Sequence, residues 1–160
     1  NGFPIAAIAG KQEVMMTVEP GSLAHGGTYS GNVVGAAAAD KTLEILEDQP
    51  ILETINQRGK KLMSGIADIL TEAGIPHVLT GVPSMFGIFL GKDQEPHDFR
   101  EYLAGDGELY EAIGMGLNQR GIQPDSDGRE PWFLCYSLSE ADVDETLNAF
   151  NDAVKDAKEN

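Results

Sequence analysis

A glycine-rich loop followed by a run of small residues is the feature that most constrains the fold of this 160-residue chain. The loop occupies residues 25–32 (HGGTYSGN), and the run occupies residues 33–39 (VVGAAAA). Because alanine favours helix, the run predicts the start of a long helix. Glycine lets backbone N–H groups approach a ligand, and a helix N-terminus has unpaired donors. The pattern therefore predicts either an anion site or a loop in which Ser30 or Asn32 caps the helix.

The chain is strongly acidic, with 26 Asp and Glu against 11 Lys and Arg and a net charge of −15. Residues 91–160 hold seventeen of the acidic and six of the basic residues, which predicts a solvated acidic surface around the C-terminal helices. Contacts to phosphate backbones and anionic lipids need clustered basic residues. The composition therefore argues against binding to nucleic acid or to a membrane.

The chain has a single cysteine and three histidines. Cys135 excludes an internal disulfide and fits a reducing compartment. It lies in an apolar run, residues 132–136, so we expect a buried structural thiol. His25, His77 and His97 lack the spacing of metal ligands, so we expect no metal site.

The first half of the chain predicts one strand and three helices. The apolar run Phe3–Ala9 predicts a strand buried on both faces. Residues 11–18 predict a short helix that ends at Pro20-Gly21. A helix is expected from Ser30 to about Asp48, and another from Ile51 to Ala73, where Gly74 and Pro76 stop it. The spacing of the second helix predicts one apolar face, formed by Ile51, Ile55, Leu62, Ile66 and Ile69.

The second half predicts a compact α+β domain. Residues 78–82 and 85–90 read as two strands, and in the second Phe86, Ile88 and Leu90 should point one way and Met85 and Phe89 the other. Residues 98–121 read as helix with a break at residues 105–107. Residues 132–138 predict a third strand. Ser139 and Asp142 have the spacing of a capping box, which predicts that a last helix begins there.

Several segments, in this order, resemble the C-terminal part of class III aminotransferases, and most closely the glutamate-1-semialdehyde 2,1-aminomutase branch. They are residues 1–7 (NGFPIAA), 27–32 (GTYSGN), 85–89 (MFGIF) and 129–133 (REPWF). The resemblance implies the α/β and α+β architecture of fold-type I enzymes that use pyridoxal 5′-phosphate. Residues 1–48 would end the large cofactor-binding domain and begin a helical arm. Residues 49–160 would form a small C-terminal α+β domain with an antiparallel sheet.

The resemblance also implies roles for particular residues. Gly27 and Thr28 would contact the pyridoxal-phosphate phosphate group of the other subunit of a homodimer, while Ser30 caps the helix. The lysine that binds the cofactor would precede Asn1, so this chain would hold no catalytic residue and be inactive alone. Arg129 and Glu130 would contact the small-molecule substrate, Arg129 by a bidentate contact to a carboxylate. The alternative for both is an exposed loop ion pair of little energetic value.

Two classes of function remain open. The first is a cytosolic enzyme that moves an amino group, either within one substrate, as an aminomutase does, or between two, as a transaminase does. The second is a non-catalytic interaction domain derived from such an enzyme. A phosphate-binding domain of another kind is excluded by motif, since the Gly-Lys-Ser/Thr of a Walker loop and a dinucleotide fingerprint are both missing.

Overall fold

The computed structural model describes residues 2–18, 22–125 and 127–159. Contacts divide the chain into two compact units, Asn1–Pro50 and Ile51–Asn160, and each is described by itself. The division falls two residues beyond the boundary predicted after residue 48, and the assignment of the first unit to the edge of a larger domain stays a prediction. Among the described helices, none is both long and apolar enough to cross a bilayer.

The described part of the first unit contains two α-helices. Helix α1 spans Gln12–Met15 and continues into a 3₁₀ turn at Met16–Val18, as the sequence predicted for residues 11–18. The predicted end of this helix at Pro20-Gly21 lies outside the described residues. Helix α2 spans Val33–Asp48 and ends where the sequence predicted, but only Gly35 is buried along its length.

The strand predicted at Phe3–Ala9 is wrong. These residues form no strand, and the side chains of Phe3, Ile5 and Ile8 are about half exposed. A strand buried on both faces needs a hydrogen-bonded neighbour and a covering layer on each side. All three described strands belong to the second unit, so the apolar run has no strand partner within its own unit.

The second unit begins with the long helix α3, Ile51–Glu72. Its buried residues recur on one helical face: Ile51, Ile55, Gly59, Leu62, Ile66 and Leu70. Four of them were predicted, whereas Ile69, the fifth residue of the predicted face, is half-buried. Gly74, two residues after the helix, has a φ of +69°, and the N–H of Ile75 donates to the Leu70 carbonyl. This left-handed glycine cap confirms the stop signal in the sequence.

A three-stranded antiparallel sheet packs its inner face on the helices of the second unit. Strands β1 (His77–Val82) and β2 (Met85–Leu90) form a hairpin, and the short strand β3 (Trp132–Phe133) pairs with the start of β2. Phe86, Ile88 and Leu90 point into the core, as predicted. Phe89, on the opposite face, is buried as well, because the Tyr102 ring lies over it at 5.7 Å.

Strand β3 stops five residues earlier than predicted. Its pairing partner β2 begins at Met85, opposite Phe133, so the chain beyond Phe133 has passed the end of the hairpin. Only the N–H of Leu134 finds a further acceptor there, the Ser84 carbonyl. The chain then turns, and the N–H of Leu138 donates to the Cys135 carbonyl. As a result Cys135 is exposed, which contradicts the expected buried thiol.

The remaining helices complete the core. Helix α4 (Phe99–Tyr102) and helix α5 (Gly107–Gln119) are separated at the predicted glycine break. Helix α6 (Glu140–Glu159) begins at the predicted capping box, in which the Ser139 N–H donates to Asp142 at 2.6 Å. It packs on α5 and α3, and Gly116 of α5 lies so close to Ala153 that a β-carbon would not fit.

Candidate functional site

The loop at residues 25–32 folds as two successive turns in front of α2. The Ser30 N–H donates to the Gly27 carbonyl, and the Asn32 N–H donates to the Tyr29 carbonyl, both at 3.0 Å. Gly31 has a φ of +71°, a left-handed conformation that favours glycine. These turns leave Thr28 at the bend, where neither its N–H nor its hydroxyl has a partner among the described residues.

The helix cap is Asn32 rather than Ser30. The Asn32 side chain accepts a hydrogen bond from the Gly35 N–H at 2.9 Å, and its own backbone is extended, as an N-cap requires. The role given to Ser30 is therefore wrong. The Asn32 side chain satisfies one of the orphan donors of the first turn.

The loop lines a cavity of about 400 Å³ within the first unit. The opposite wall is formed by residues 4–6, and a β-carbon placed on Gly35 would lie 3.7 Å from Ile5. Two of the segments that carry the resemblance thus meet at one cavity. Thr28, Tyr29 and Ser30 are in its lining, and among the described residues no Asp or Glu is. In a chain with a net charge of −15, a cavity whose described lining has neutral hydroxyl residues and no acidic side chain suits a phosphate group.

A second polar loop, at residues 121–131, carries Arg129 and Glu130 in the second unit. The Arg129 guanidinium pairs with the Asp127 carboxylate: Nε donates to Oδ1 at 2.8 Å and to Oδ2 at 2.7 Å, and Nη2 also donates to Oδ2. The Arg129 backbone N–H donates to the same carboxylate at 2.9 Å. Glu130 is exposed, and its N–H donates to the Asp127 carbonyl at 3.0 Å.

Arg129 and Glu130 line different cavities. Arg129 faces a cavity of about 280 Å³ on the outer face of the sheet, together with Thr80, Phe89 and Tyr102. Glu130 lines a cavity of about 400 Å³ whose apolar wall includes Leu62 and Trp132. The two residues therefore lie at separate recesses rather than in a single pocket that both share.

Asp127 is the residue of this loop that sequence reasoning missed. The hydrogen bonds from Arg129 lower the pKa of the Asp127 carboxyl from 3.8 to about 2. The same contact raises the pKa of Arg129, so both groups are charged at neutral pH. The signal in the sequence is Asp-Gly-Arg, since an aspartate two residues before an arginine, with a glycine between them, can fold back on it.

Gly128 and two tyrosines fix this loop in place. A β-carbon on Gly128 would lie 2.9 Å from the Tyr102 hydroxyl and 3.1 Å from the Tyr110 ring, so only glycine permits this approach. Burial raises the pKa of Tyr102, Asp127 raises it further, and Arg129 lowers it. Burial also raises the pKa of Tyr110, whose hydroxyl accepts a hydrogen bond from Trp132 Nε1 at 3.1 Å. Gly128 and Tyr102, which pack closely on each other, both line the cavity beside Arg129.

Cys135 and the histidines form no further site. Cys135 is exposed, and its sulfur lies 3.2 Å from the Ser137 hydroxyl, which lowers the pKa of the thiol. Among the described residues, no group of three His, Cys, Asp or Glu side chains is arranged to hold a metal ion.

Comparison with known proteins shows which proteins the chain is similar to. The profile of the family described as Aminotransferase class-III matches residues 1–154. The chain is 33% identical over 157 residues to a glutamate-1-semialdehyde 2,1-aminomutase of Aquifex aeolicus, covering 98% of this chain and 37% of the relative. It is 36% identical over 156 residues to the enzyme of that name from Thermus thermophilus, covering 96% and 36%. The chain thus spans about a third of the length of these relatives.

Solved structures agree with this relationship. The structure of the PLP internal aldimine form of the FumI protein of Sphingopyxis sp. MTA144 is 25% identical, with a TM-score of 0.71 over 86% of this chain and 30% of that one. A β-phenylalanine aminotransferase from Variovorax paradoxus, at 24% identity, shows the same fold with a TM-score of 0.77 over 94% of this chain and 35% of that one. The matched segments, the family profile and the fold agree, and the chain belongs to the class III aminotransferase family.

Proposed function

We propose that this chain is the C-terminal portion of a pyridoxal-phosphate enzyme that moves an amino group, either as a glutamate-1-semialdehyde aminomutase or as a transaminase. The observation that carries the proposal is the cavity at residues 25–32, whose described lining has hydroxyl residues and no Asp or Glu, in a chain whose family profile covers residues 1–154. The enzyme would be cytoplasmic and homodimeric, with the cofactor site shared between subunits. Pyridoxal phosphate, when bound, supplies the electron sink that amino-group chemistry needs.

The first unit would hold the phosphate of that cofactor. The Thr28 hydroxyl and the N–H groups of Gly27 and Thr28 would donate to its oxygens, and the N-terminus of α2 favours negative charge nearby. None of the described residues that line this cavity is acidic, which favours a dianion there. In the proposed homodimer the phosphate belongs to the cofactor of the partner subunit.

The second unit would contact the substrate. Arg129 carries a planar guanidinium at the wall of a recess on the outer sheet face, which is a group suited to a substrate carboxylate. Glu130 is exposed and its carboxylate can accept a hydrogen bond from a substrate amino group. Because the two residues line separate cavities, we assign them to different parts of the substrate.

The 160 residues alone would have no turnover. The lysine that binds the cofactor in this family is proposed to precede Asn1, and Lys11 does not match its position. Without that amine the cofactor has no covalent attachment to the chain. The chain then also lacks the base that removes the substrate proton at the reacting carbon. Turnover of an amino donor by the 160-residue chain would contradict this part of the proposal.

The phosphate site is tested by NMR titration of the 160-residue chain with pyridoxal 5′-phosphate and, in parallel, with pyridoxal, which lacks the phosphate. We expect the amide signals of Gly27 and Thr28 to move with the phosphorylated compound only. Thr28→Val removes one donor and should weaken binding several-fold. Thr42→Val is the matched control, because the Thr42 hydroxyl donates to the Ala38 carbonyl in the middle of α2. Equal shifts with both compounds would refute the phosphate site.

The reaction class is tested on the proposed full-length enzyme with glutamate 1-semialdehyde. An aminomutase converts this compound with no amino acceptor added, since the group leaves and returns to one carbon skeleton. A transaminase stops after one half-reaction until a second amino-group partner is supplied. Failure of both reactions with the cofactor bound would contradict the proposed activity.

A further inference from the structure

In the Asp127–Arg129 pair, the Asp127 carboxylate already occupies one edge of the guanidinium, the edge formed by Nε and Nη2. Arginine presents its best bidentate edge through Nε and Nη2, and both donate to the Asp127 carboxylate. Asp127 accepts through both of its oxygens, which is the arrangement that a ligand carboxylate would adopt on the same edge. Asp127, two residues before Arg129, therefore competes with any ligand carboxylate for this edge of the guanidinium.

The surroundings of the pair oppose a second anion. Asp125 lies beside it, with its side chain accepting from the Asp127 N–H at 2.9 Å, and Glu130 follows Arg129 directly in the loop. Glu130 acts electrostatically on the Arg129 guanidinium, whereas Asp125 contacts the backbone of Asp127. A ligand carboxylate gains little at Arg129 while Asp127 stays bound, because the pair has no net charge and Glu130 repels anions.

The loop can release the pair without unfolding. The Asp127 side chain is 35% exposed and that of Arg129 is 58% exposed, so both can rotate into solvent. The backbone between them is fixed by Gly128, which packs on Tyr102 and Tyr110. Exposed ion pairs of this kind are worth about 1 kcal/mol or less, so a ligand can displace one at modest cost.

We propose that Asp127 is a specificity-determining residue: it occupies the edge of Arg129 that would bind a ligand carboxylate, and such a ligand must displace it. This proposal rests on the proposed function of Arg129. The recess that Arg129 lines is walled by Phe89, Phe99 and Tyr102, so it would take a small carboxylate with an apolar chain. Asp127 thereby lowers the affinity for carboxylates in particular and leaves the affinity for neutral molecules of the same shape unchanged.

The test titrates the 160-residue chain with butanoate and, separately, with its neutral counterpart butanamide. The NMR signal of the Arg129 Nε–H reports binding. Asp127→Asn keeps an acceptor for the Arg129 N–H but removes the charge, and we expect it to bind butanoate about fivefold more tightly than the wild type. Arg129→Gln should lose butanoate binding. Asp125→Asn, which removes an equal charge outside the guanidinium contact, should change the affinity less than twofold. Butanamide should bind all four proteins equally.

The outcomes separate the alternatives. If Asp127→Asn binds butanoate no better than the wild type, or fails to bind it, Asp127 does not compete for Arg129 and the inference is overturned. An increase of the same size in Asp125→Asn overturns it as well, since the effect would be general electrostatics. The proposed cofactor function does not depend on these results, because the pyridoxal-phosphate titration at Gly27 and Thr28 tests it in the other unit.

Discussion

Gly59 of α3 packs so closely against Pro83, in the turn between β1 and β2, that a β-carbon on Gly59 would overlap the Pro83 carbonyl oxygen. The overlap involves backbone rather than the end of a flexible side chain, so the helix or the hairpin must shift to admit it. Gly59→Ala is therefore expected to lower the free energy of unfolding of the second unit by about 1–3 kcal/mol, despite the better helix propensity of alanine. Urea denaturation followed by the fluorescence of Trp132, the single tryptophan, measures this.

Gly114 of α5 supplies the matched control. It is also a helix-interior glycine, but a β-carbon placed there meets no atom within 4 Å. Gly114→Ala should therefore stabilise the unit by up to about 1 kcal/mol. If both substitutions shift the unfolding midpoint in the same direction, the close approach of Gly59 to Pro83 does not decide the effect.

The Trp132–Tyr110 hydrogen bond joins β3 to α5 in the partly buried wall of the core. Tyr110→Phe would leave the Trp132 N–H without its acceptor, and we expect a loss of about 1 kcal/mol together with a change in tryptophan emission. Tyr102→Phe is the comparison, because among the described residues the Tyr102 hydroxyl makes no hydrogen bond. A stability loss in Tyr102→Phe as large as that in Tyr110→Phe would argue against the role of the hydrogen bond.

The sequence predicted most of the second unit because its helices and hairpin repeat their apolar residues with a clear period. Helix α3 buries Ile55, Leu62 and Ile66 on the face that the spacing indicated, and the capping box placed the start of α6. Such patterns are local, and the residues that satisfy them lie within one element or its neighbour. Local reasoning therefore suffices for these elements.

The errors occurred where the outcome depends on distant partners. Phe3–Ala9 reads as a buried strand, but a strand needs a neighbour, and periodicity cannot show whether one is present. Strand β3 ended at Phe133 because the hairpin opposite it ends there, which also exposed Cys135. At the candidate site, motifs identified Arg129, but its pairing with Asp127 depends on a turn geometry that only the structure shows.

Cys135 is expected to react rapidly with thiol reagents in the folded protein. It is exposed, and the Ser137 hydroxyl lowers the pKa of the thiol, which increases the thiolate fraction at neutral pH. Titration with a disulfide reagent should modify one thiol per chain without denaturant, and Ser137→Ala should slow the reaction. A thiol that reacts only after unfolding would contradict the exposed position.

The contribution of Asp127 to the free energy of unfolding should depend on pH. Its pKa is about 2 in the folded chain and 3.8 when unpaired, so the unfolded chain takes up its proton first as the pH falls. The contribution is complete above pH 3.8 and is lost as the pH falls toward 2. Carboxyl ¹³C NMR should show the low midpoint in the wild type and a rise toward 3.8 in Arg129→Gln. An unchanged midpoint in that variant would show that Arg129 is not the cause.

Asn32 and Ser30 give a direct test of which residue caps α2. The Asn32 side chain accepts from the Gly35 N–H at 2.9 Å, so Asn32→Ala should destabilise the start of the helix by about 0.5–2 kcal/mol. Hydrogen exchange of the Gly35 amide measures this locally and should become several-fold faster. Ser30→Ala, two residues earlier in the same loop, should leave that rate unchanged, because the Asn32 cap remains. Faster exchange in Ser30→Ala, with no change in Asn32→Ala, would assign the cap to Ser30 after all.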